Sequence, residues 1–198
     1  MKKKGPTAKE LMDRLNADPE FVAAAKARER EKTAKEEQLT VEQQPLITEL
    51  QKVGIAVSSA WDLVNTSTPY PKALPILLEH LKRPYSAPVR EGIARALAVR
   101  DAKFGWESLR QCYVREEDGR AKDGLAAALA ASADDDVIGD LVVLAKDTRH
   151  GSSRLLFLRA LARSQDARAA QSLVELADDR ELQKEILIIL GEQKQKTH

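Results

Sequence analysis

Apolar residues recur at helical rather than strand spacing wherever they are dense enough to show a pattern. From Ala8 to about Gln44 they are sparse, and Lys, Arg, Glu and Ala dominate. After Pro19 the large apolar side chains there are Phe21, Val22, Leu39 and Val41, so a helix in this segment exposes most of its circumference. A break is expected at Asn16-Ala17-Asp18-Pro19. Asp18 can cap a helix whose first position is Pro19, because proline lacks an N–H that the first turn leaves unpaired anyway. The region from Pro45 to Asn65 reads as a helix pair, the first helix starting at Pro45 with Leu46, Ile47 and Leu50 at helical spacing as far as Gly54, a natural C-terminal stop. A short helix carrying Trp61, Leu63 and Val64 follows Ser58-Ser59. The run Asn65-Thr66-Ser67-Thr68-Pro69 then reads as a loop, since short polar side chains and proline favour turns.

After Tyr70 the pattern repeats. Leu97, Leu129, Leu161 and Leu190 are 32, 32 and 29 residues apart, and Ile93, Leu125, Phe157 and Ile186 keep the same steps. Leu78, Leu109, Leu141 and Leu173 are 31, 32 and 32 apart, with Leu81, Cys112, Leu144 and Leu176 in step. These registers predict four helix pairs: 72–83 with 88–99, 105–116 with 119–132, 136–147 with 151–164, and 167–178 with 180–193. One pair cannot bury its own apolar stripe, so neighbours must stack and share a continuous core. Two ladders of small residues, Ala96/Ala128/Ala160 and Ala98/Ala130/Ala162/Gly191, would let adjacent helices approach closely.

The segments Ala73-Leu-Pro-Ile-Leu-Leu-Glu-His-Leu81 and Val89-Arg-Glu-Gly-Ile-Ala-Arg-Ala-Leu-Ala98 resemble HEAT-like repeats of the short bacterial kind found in phycobilin-lyase-type proteins. The resemblance covers about 120 residues. Arg90 matches the family's habit of a basic residue opening the second helix, Lys122 and Arg154 share that register, and Gln183 departs from it. The resemblance implies an all-α fold, a right-handed α-solenoid of about four to five helical pairs used for protein recognition. The expected organisation is a charged N-terminal helical arm, 1–44, followed by the repeat solenoid, 45–198.

Composition narrows the function classes. With 32 basic and 31 acidic residues the formal charge is +1, so no global field draws the chain to nucleic acid or anionic lipid. One cysteine excludes an internal disulfide, and three histidines supply no Cys/His zinc framework. The basic start, Lys2-Lys3-Lys4, is followed by Gly5-Pro6 and a polar helix rather than an apolar signal segment, and the expected setting is cytoplasmic and soluble.

Candidate chemistry resolves mostly into structure. Cys112 shares its register with Leu81, Leu144 and Leu176 and reads as a core residue rather than a nucleophile. His80 and His150 have no ligand-spaced partners, so neither metal nor cofactor is implied. The acidic clusters Asp134-Asp135-Asp136 and Asp178-Asp179 fall at helix starts and read as caps. Gly92 and Gly124 share a register that suggests close helix packing. Trp106 aligns with Pro75, Ile138 and Ala170 as a semi-buried repeat position, and Trp61 seals the N-terminal end of the repeats.

Surfaces remain. On the second helices, Glu91, Arg95, Asp123, Arg159 and Lys184 lie off the apolar stripe and form a mixed-charge strip suited to a polar protein partner. The run Ile186-Leu187-Ile188-Ile189-Leu190 places apolar residues all around the last helix, so Ile188 and Ile189 are expected at an interface with a partner, a second copy or the N-terminal arm. The reading is a non-enzymatic scaffold or adaptor, with an inhibitor or immunity-type binder as one form of it. The alternative is a HEAT-like enzyme, either a DNA glycosylase or a bilin lyase-like protein.

Overall fold

The computed structural model describes residues 7–196, with the backbone alone at 10, 13, 14 and 193–196. Lys2-Lys3-Lys4 and Gly5-Pro6 lie outside the described residues. Regular structure among those residues is entirely helical. In chain order the helices are α1 (Ala8–Ala17), α2 (Pro19–Lys52), α3 (Ala60–Val64), α4 (Leu74–Leu81), α5 (Ala87–Ala96) and α6 (Trp106–Arg115). Then come α7 (Gly119–Ser132), α8 (Ile138–Lys146), α9 (Leu155–Arg163), α10 (Ala167–Glu175) and α11 (Gln183–Lys196). Short 3₁₀ turns occupy Pro71–Ala73, Arg100–Gly105, Thr148–Arg154 and Leu176–Asp178.

Two compact units are present, 1–41 and 42–198. In the first, the Asp18 carboxylate accepts from Glu20 N at 3.0 Å and caps α2, and from Val22 N the carbonyl of Asp18 takes over the ladder. Phe21, Val22 and Leu39 are half-buried and Val41 is exposed.

No helix starts at Pro45. It sits inside α2, which runs uninterrupted to Lys52, with Leu46 and Leu50 fully buried and Ile47 nearly so. Proline removes one backbone hydrogen bond but leaves its neighbours in place. The rise in apolar density therefore marks where α2 begins to pack, not where it begins. α2 closes in a Schellman motif: Ile55 N donates to Leu50 O and Gly54 N to Gln51 O, both at 3.0 Å, with Gly54 at φ +83°.

In the second unit α5 packs on α4, α7 on α6, and α9 on both α8 and α10. The second helices of the pairs also pack on one another in sequence, α3 on α5, α5 on α7, α7 on α9 and α9 on α11. First helices meet as α4 with α6 and α8 with α10. Between the two layers lies the core. Ile93, Leu125, Phe157 and Ile186 are at most 1% exposed, and each such burial stabilises by about 1.5–3 kcal/mol.

Close approach is carried by Ala96, Ala128 and Ala160, all buried, together with two glycines. A Cβ at Gly124 would lie 3.1 Å from Ala94 Cβ and from Glu91 O, and one at Gly92 would lie 2.9 Å from Trp61 Nε1. The second expected ladder does not serve this role, since Ala98, Ala130 and Ala162 are only half-buried and Gly191 is exposed. The last pair also shifts. Its step of 29 keeps Ile186 and Ile189 inward, but leaves Leu190 half-buried where Leu97, Leu129 and Leu161 are buried.

Polar ties lock the pairs together at the register of the basic residues. Arg90 makes a bidentate pair with Glu116, both distances 2.8 Å, and Lys122 donates to Glu116 O at 2.9 Å. Arg154 reaches Asp179 and Glu181, each at 2.7 Å. Asp118 caps α7 through Arg120 N and Ala121 N, and Asp166 caps α10 through Arg168 N. The acidic clusters cap and tie at once: Asp134 accepts from Asp136 N at 3.2 Å and Asp179 from Glu181 N at 2.9 Å, while Asp134 and Asp136 also pair with Lys103, Asp135 accepts from Ser164 Oγ at 2.5 Å, and Asp179 holds Arg154. A dense row of carboxylates near a helix start signals electrostatics, and sequence alone does not say which cation from another pair arrives.

Candidate functional site

Glu91, Asp123, Leu155 and Lys184 share one register on the second helices, and Arg95, Ala127, Arg159 and Ile188 share the register one turn later. The structure brings part of the expected strip together. Arg95 Nε lies 2.9 Å from Glu91 Oε1, an i,i+4 pair on α5, with the guanidinium carbon 6.0 Å from the centre of the Trp61 ring. A cation–π contact of this kind restricts the arginine side chain.

Trp61 is where α3 meets α5. Asp62 fixes the start of α3 by accepting from Ser58 N at 2.7 Å and Ser59 N at 3.1 Å, and Gly92 provides the flat backbone on which the indole lies. At 38% exposure the indole offers an open platform beside α5.

Asp123 comes from α7 and completes the group. It is half-buried and accepts no hydrogen bond from a described residue. Burial pushes its carboxyl above the ordinary range, Arg95 pulls it back and Glu91 adds to the rise. It also lines an open cleft of about 750 Å³ with Arg115, Lys122, Arg149 and His150.

Arg159 and Lys184 do not join this cluster. Arg159 lies between Glu185 at 3.1 Å and Glu192 at 3.3 Å, both on α11. Lys184 is exposed and forms no ion pair among the described residues. On α11, Ile188 is 45% exposed, whereas Ile189 is 2% exposed and packs inward. Ile189 is therefore covered by its own chain and is corrected from an interface residue to a core residue, and Leu187, at 61% exposed, takes its place on the open side.

Leu156, 40% exposed on α9, is a further open apolar side chain on a second helix that the periodicity did not single out. Its signal was the run Leu155-Leu156-Phe157-Leu158, which is too long for every member to face the core of one helix.

The two described histidines and Tyr113 are buried within the helical packing. His80 is fully buried, its Nδ1 2.8 Å from Tyr85 Oη and its Nε2 3.2 Å from Glu49, which also holds Arg83. Burial pulls His80 below the usual histidine value, with the Glu49 interaction opposing it. The His150 ring lies tilted against Tyr113, 4.6 Å between centroids and 52° between planes, and burial lowers it as well. Tyr113 and Ser153 share a hydrogen bond of 2.7 Å, and burial pushes the phenol up to about 12. Trp106 is buried and donates Nε1–H to Asp140 at 2.9 Å.

Cys112 is half-buried, not a full core residue, because its register position opens onto a cleft bordered by Lys82 and Arg115. Burial raises its thiol, keeping the thiolate scarce near neutrality. No group of three potential metal ligands occurs among the described residues, and none of their helices is long and apolar enough to cross a membrane. Comparison with protein-family models finds none that matches the chain, and no curated protein or solved structure matches it.

Proposed function

We propose that residues 42–198 form a HEAT-like, right-handed α-solenoid whose second helices line a concave protein-binding face. The chain is then a non-enzymatic scaffold or adaptor, an inhibitor or immunity-type binder being one form of that role, working in the cytoplasm. One observation carries the reading: Trp61 of α3, Glu91 and Arg95 of α5 and Asp123 of α7 come together where these helices pack, with Trp61 exposed and the three charged residues half-buried. Tryptophan and arginine are the residue types that most often anchor protein interfaces, and here both are held in place before a partner arrives. Asp123 adds a half-desolvated carboxylate with unused acceptor capacity, suited to an N–H or cationic donor on the partner. Leu156 and Ile188 extend the face with apolar contacts, and a second copy of the chain docks at α11.

The second reading, a HEAT-like enzyme of the DNA glycosylase or bilin lyase-like kind, is favoured by the proximity of an aromatic, an arginine and an aspartate. Two carboxylates to one guanidinium leave the cluster net negative, which disfavours a phosphate backbone. Affinity purification with the full chain tests both. Wild type is expected to retain a discrete protein that an Arg95→Glu/Asp123→Arg variant of unchanged thermal midpoint loses. Retention of nucleic acid by wild type, lost in the variant and with no protein captured, would overturn the scaffold reading.

A further inference from the structure

We infer that α11 docks antiparallel on α11 of a second copy, with Leu187 and Ile188 at a twofold axis. The inference rests on the reading of α11 as a docking helix and supplies its partner and register. Ile186 and Ile189 point into the chain, both at most 2% exposed. Lys184, Leu187, Ile188 and Gly191 lie on the opposite side at i, i+3, i+4 and i+7, and all four are exposed. Leu187 occupies the register of Ala94, Ala126 and Leu158, each 0% exposed. Ala94 lies against Gly124 of the following second helix. Leu187 is therefore a position that the fold covers at each earlier step and leaves open at this one.

The stripe matches itself only when reversed. With a rise of about 1.5 Å per residue, an antiparallel pair centred between Leu187 and Ile188 sets each Lys184 level with Gly191 of the other copy, one residue from Glu192. A Cβ at Gly191 would meet nothing within 4 Å, so the lysine stem has room there. Glu192, exposed and held among the described residues by Arg159 alone, at 3.3 Å, can take the ammonium. Parallel packing would set Lys184 against Lys184, a like-charge contact. The reversed arrangement is isologous and closes at two copies.

Sedimentation equilibrium of the full chain tests this with wild type, Leu187→Glu, Lys184→Glu and the exchanged pair Lys184→Glu/Glu192→Lys. Circular dichroism checks that each is folded. The expected results are a wild-type mass of twice 21.9 kDa, dimerisation weakened more than about tenfold by either single change, and recovery in the exchanged pair. A wild-type monomer would overturn the proposal, and so would a dimer indifferent to Leu187→Glu. Partner capture through Trp61 and Arg95 is read separately in Leu187→Glu, so loss of the dimer with capture intact distinguishes the two surfaces.

Discussion

Arg154 is the largest side chain in the fully buried set, 1% exposed, and its replacement by alanine gives a test with a definite magnitude. Its guanidinium makes four hydrogen bonds: to Gly151 O at 2.9 Å, Ala145 O at 3.3 Å, Asp179 Oδ2 at 2.7 Å and Glu181 Oε2 at 2.7 Å. It ties the turn before α9 to the turn before α11. Removing one member of a buried ion pair costs about 3–5 kcal/mol, because the partner is left desolvated without compensation. Glu181 is 53% exposed and rehydrates, whereas Asp179 is 18% exposed and does not fully do so. The low end applies, about 3 kcal/mol. For a chain of this length that corresponds to a fall in melting temperature of about 6–12 °C. Urea unfolding followed by circular dichroism measures it. Arg154→Lys, which keeps the charge but not the planar fork, should recover less than half of the loss. Arg168→Ala, which removes an arginine whose guanidinium makes three hydrogen bonds to Asp166 but is 64% exposed, should leave the transition unmoved. A loss under about 1 kcal/mol for Arg154→Ala would refute the reasoning, since that is the range of a solvent-screened pair.

Gly92→Val should destabilise by about 1–3 kcal/mol through overpacking and shift the fluorescence of Trp61, which a side chain at 92 would strike. Stability should fall as pH drops below 6.5. His80 and His150 are both held below that unfolded-state value, so the unfolded chain binds more protons in the window beneath it, and His80→Gln should flatten the slope there. Asp179 and Glu116 are lowered from 3.8 and 4.5, so their contribution is present above those values and disappears only at more acid pH. Cys112 should react with iodoacetamide more slowly than a free thiol at neutral pH and recover the free rate on unfolding, since its burial ends there.

The helices were legible because their apolar residues answer to a single period. Ile93, Leu125 and Phe157 mark core positions one step apart, and each step reappears as a packed second helix. Pro45 misled because local chemistry suggested a boundary where one lost hydrogen bond was tolerated. Ile189 was misplaced because a run of five apolar residues does not reveal which face the preceding helix covers. Of the site, Glu91, Arg95 and Asp123 were readable as off-stripe residues, and their meeting at Trp61 was not. That contact depends on Gly92 admitting an indole from α3 so closely that a Cβ there would lie 2.9 Å from Trp61 Nε1, a proximity that no periodicity encodes. The ties through Asp134, Asp135 and Asp179 were hidden for the same reason, each being made to a residue 25 to 31 positions away.

The most direct test of the proposed binding face is site-specific photo-crosslinking in cells, with the crosslinker placed in turn at Asp123, Leu156, Val143 and Val174. Val143 and Val174 are exposed on the first helices, at 66% and 65%. Expected is one protein trapped from Asp123 and Leu156, not from Val143 or Val174, and lost when Arg95→Glu is added. Equal trapping from all four positions, or nucleic acid trapped from Asp123, would contradict the account.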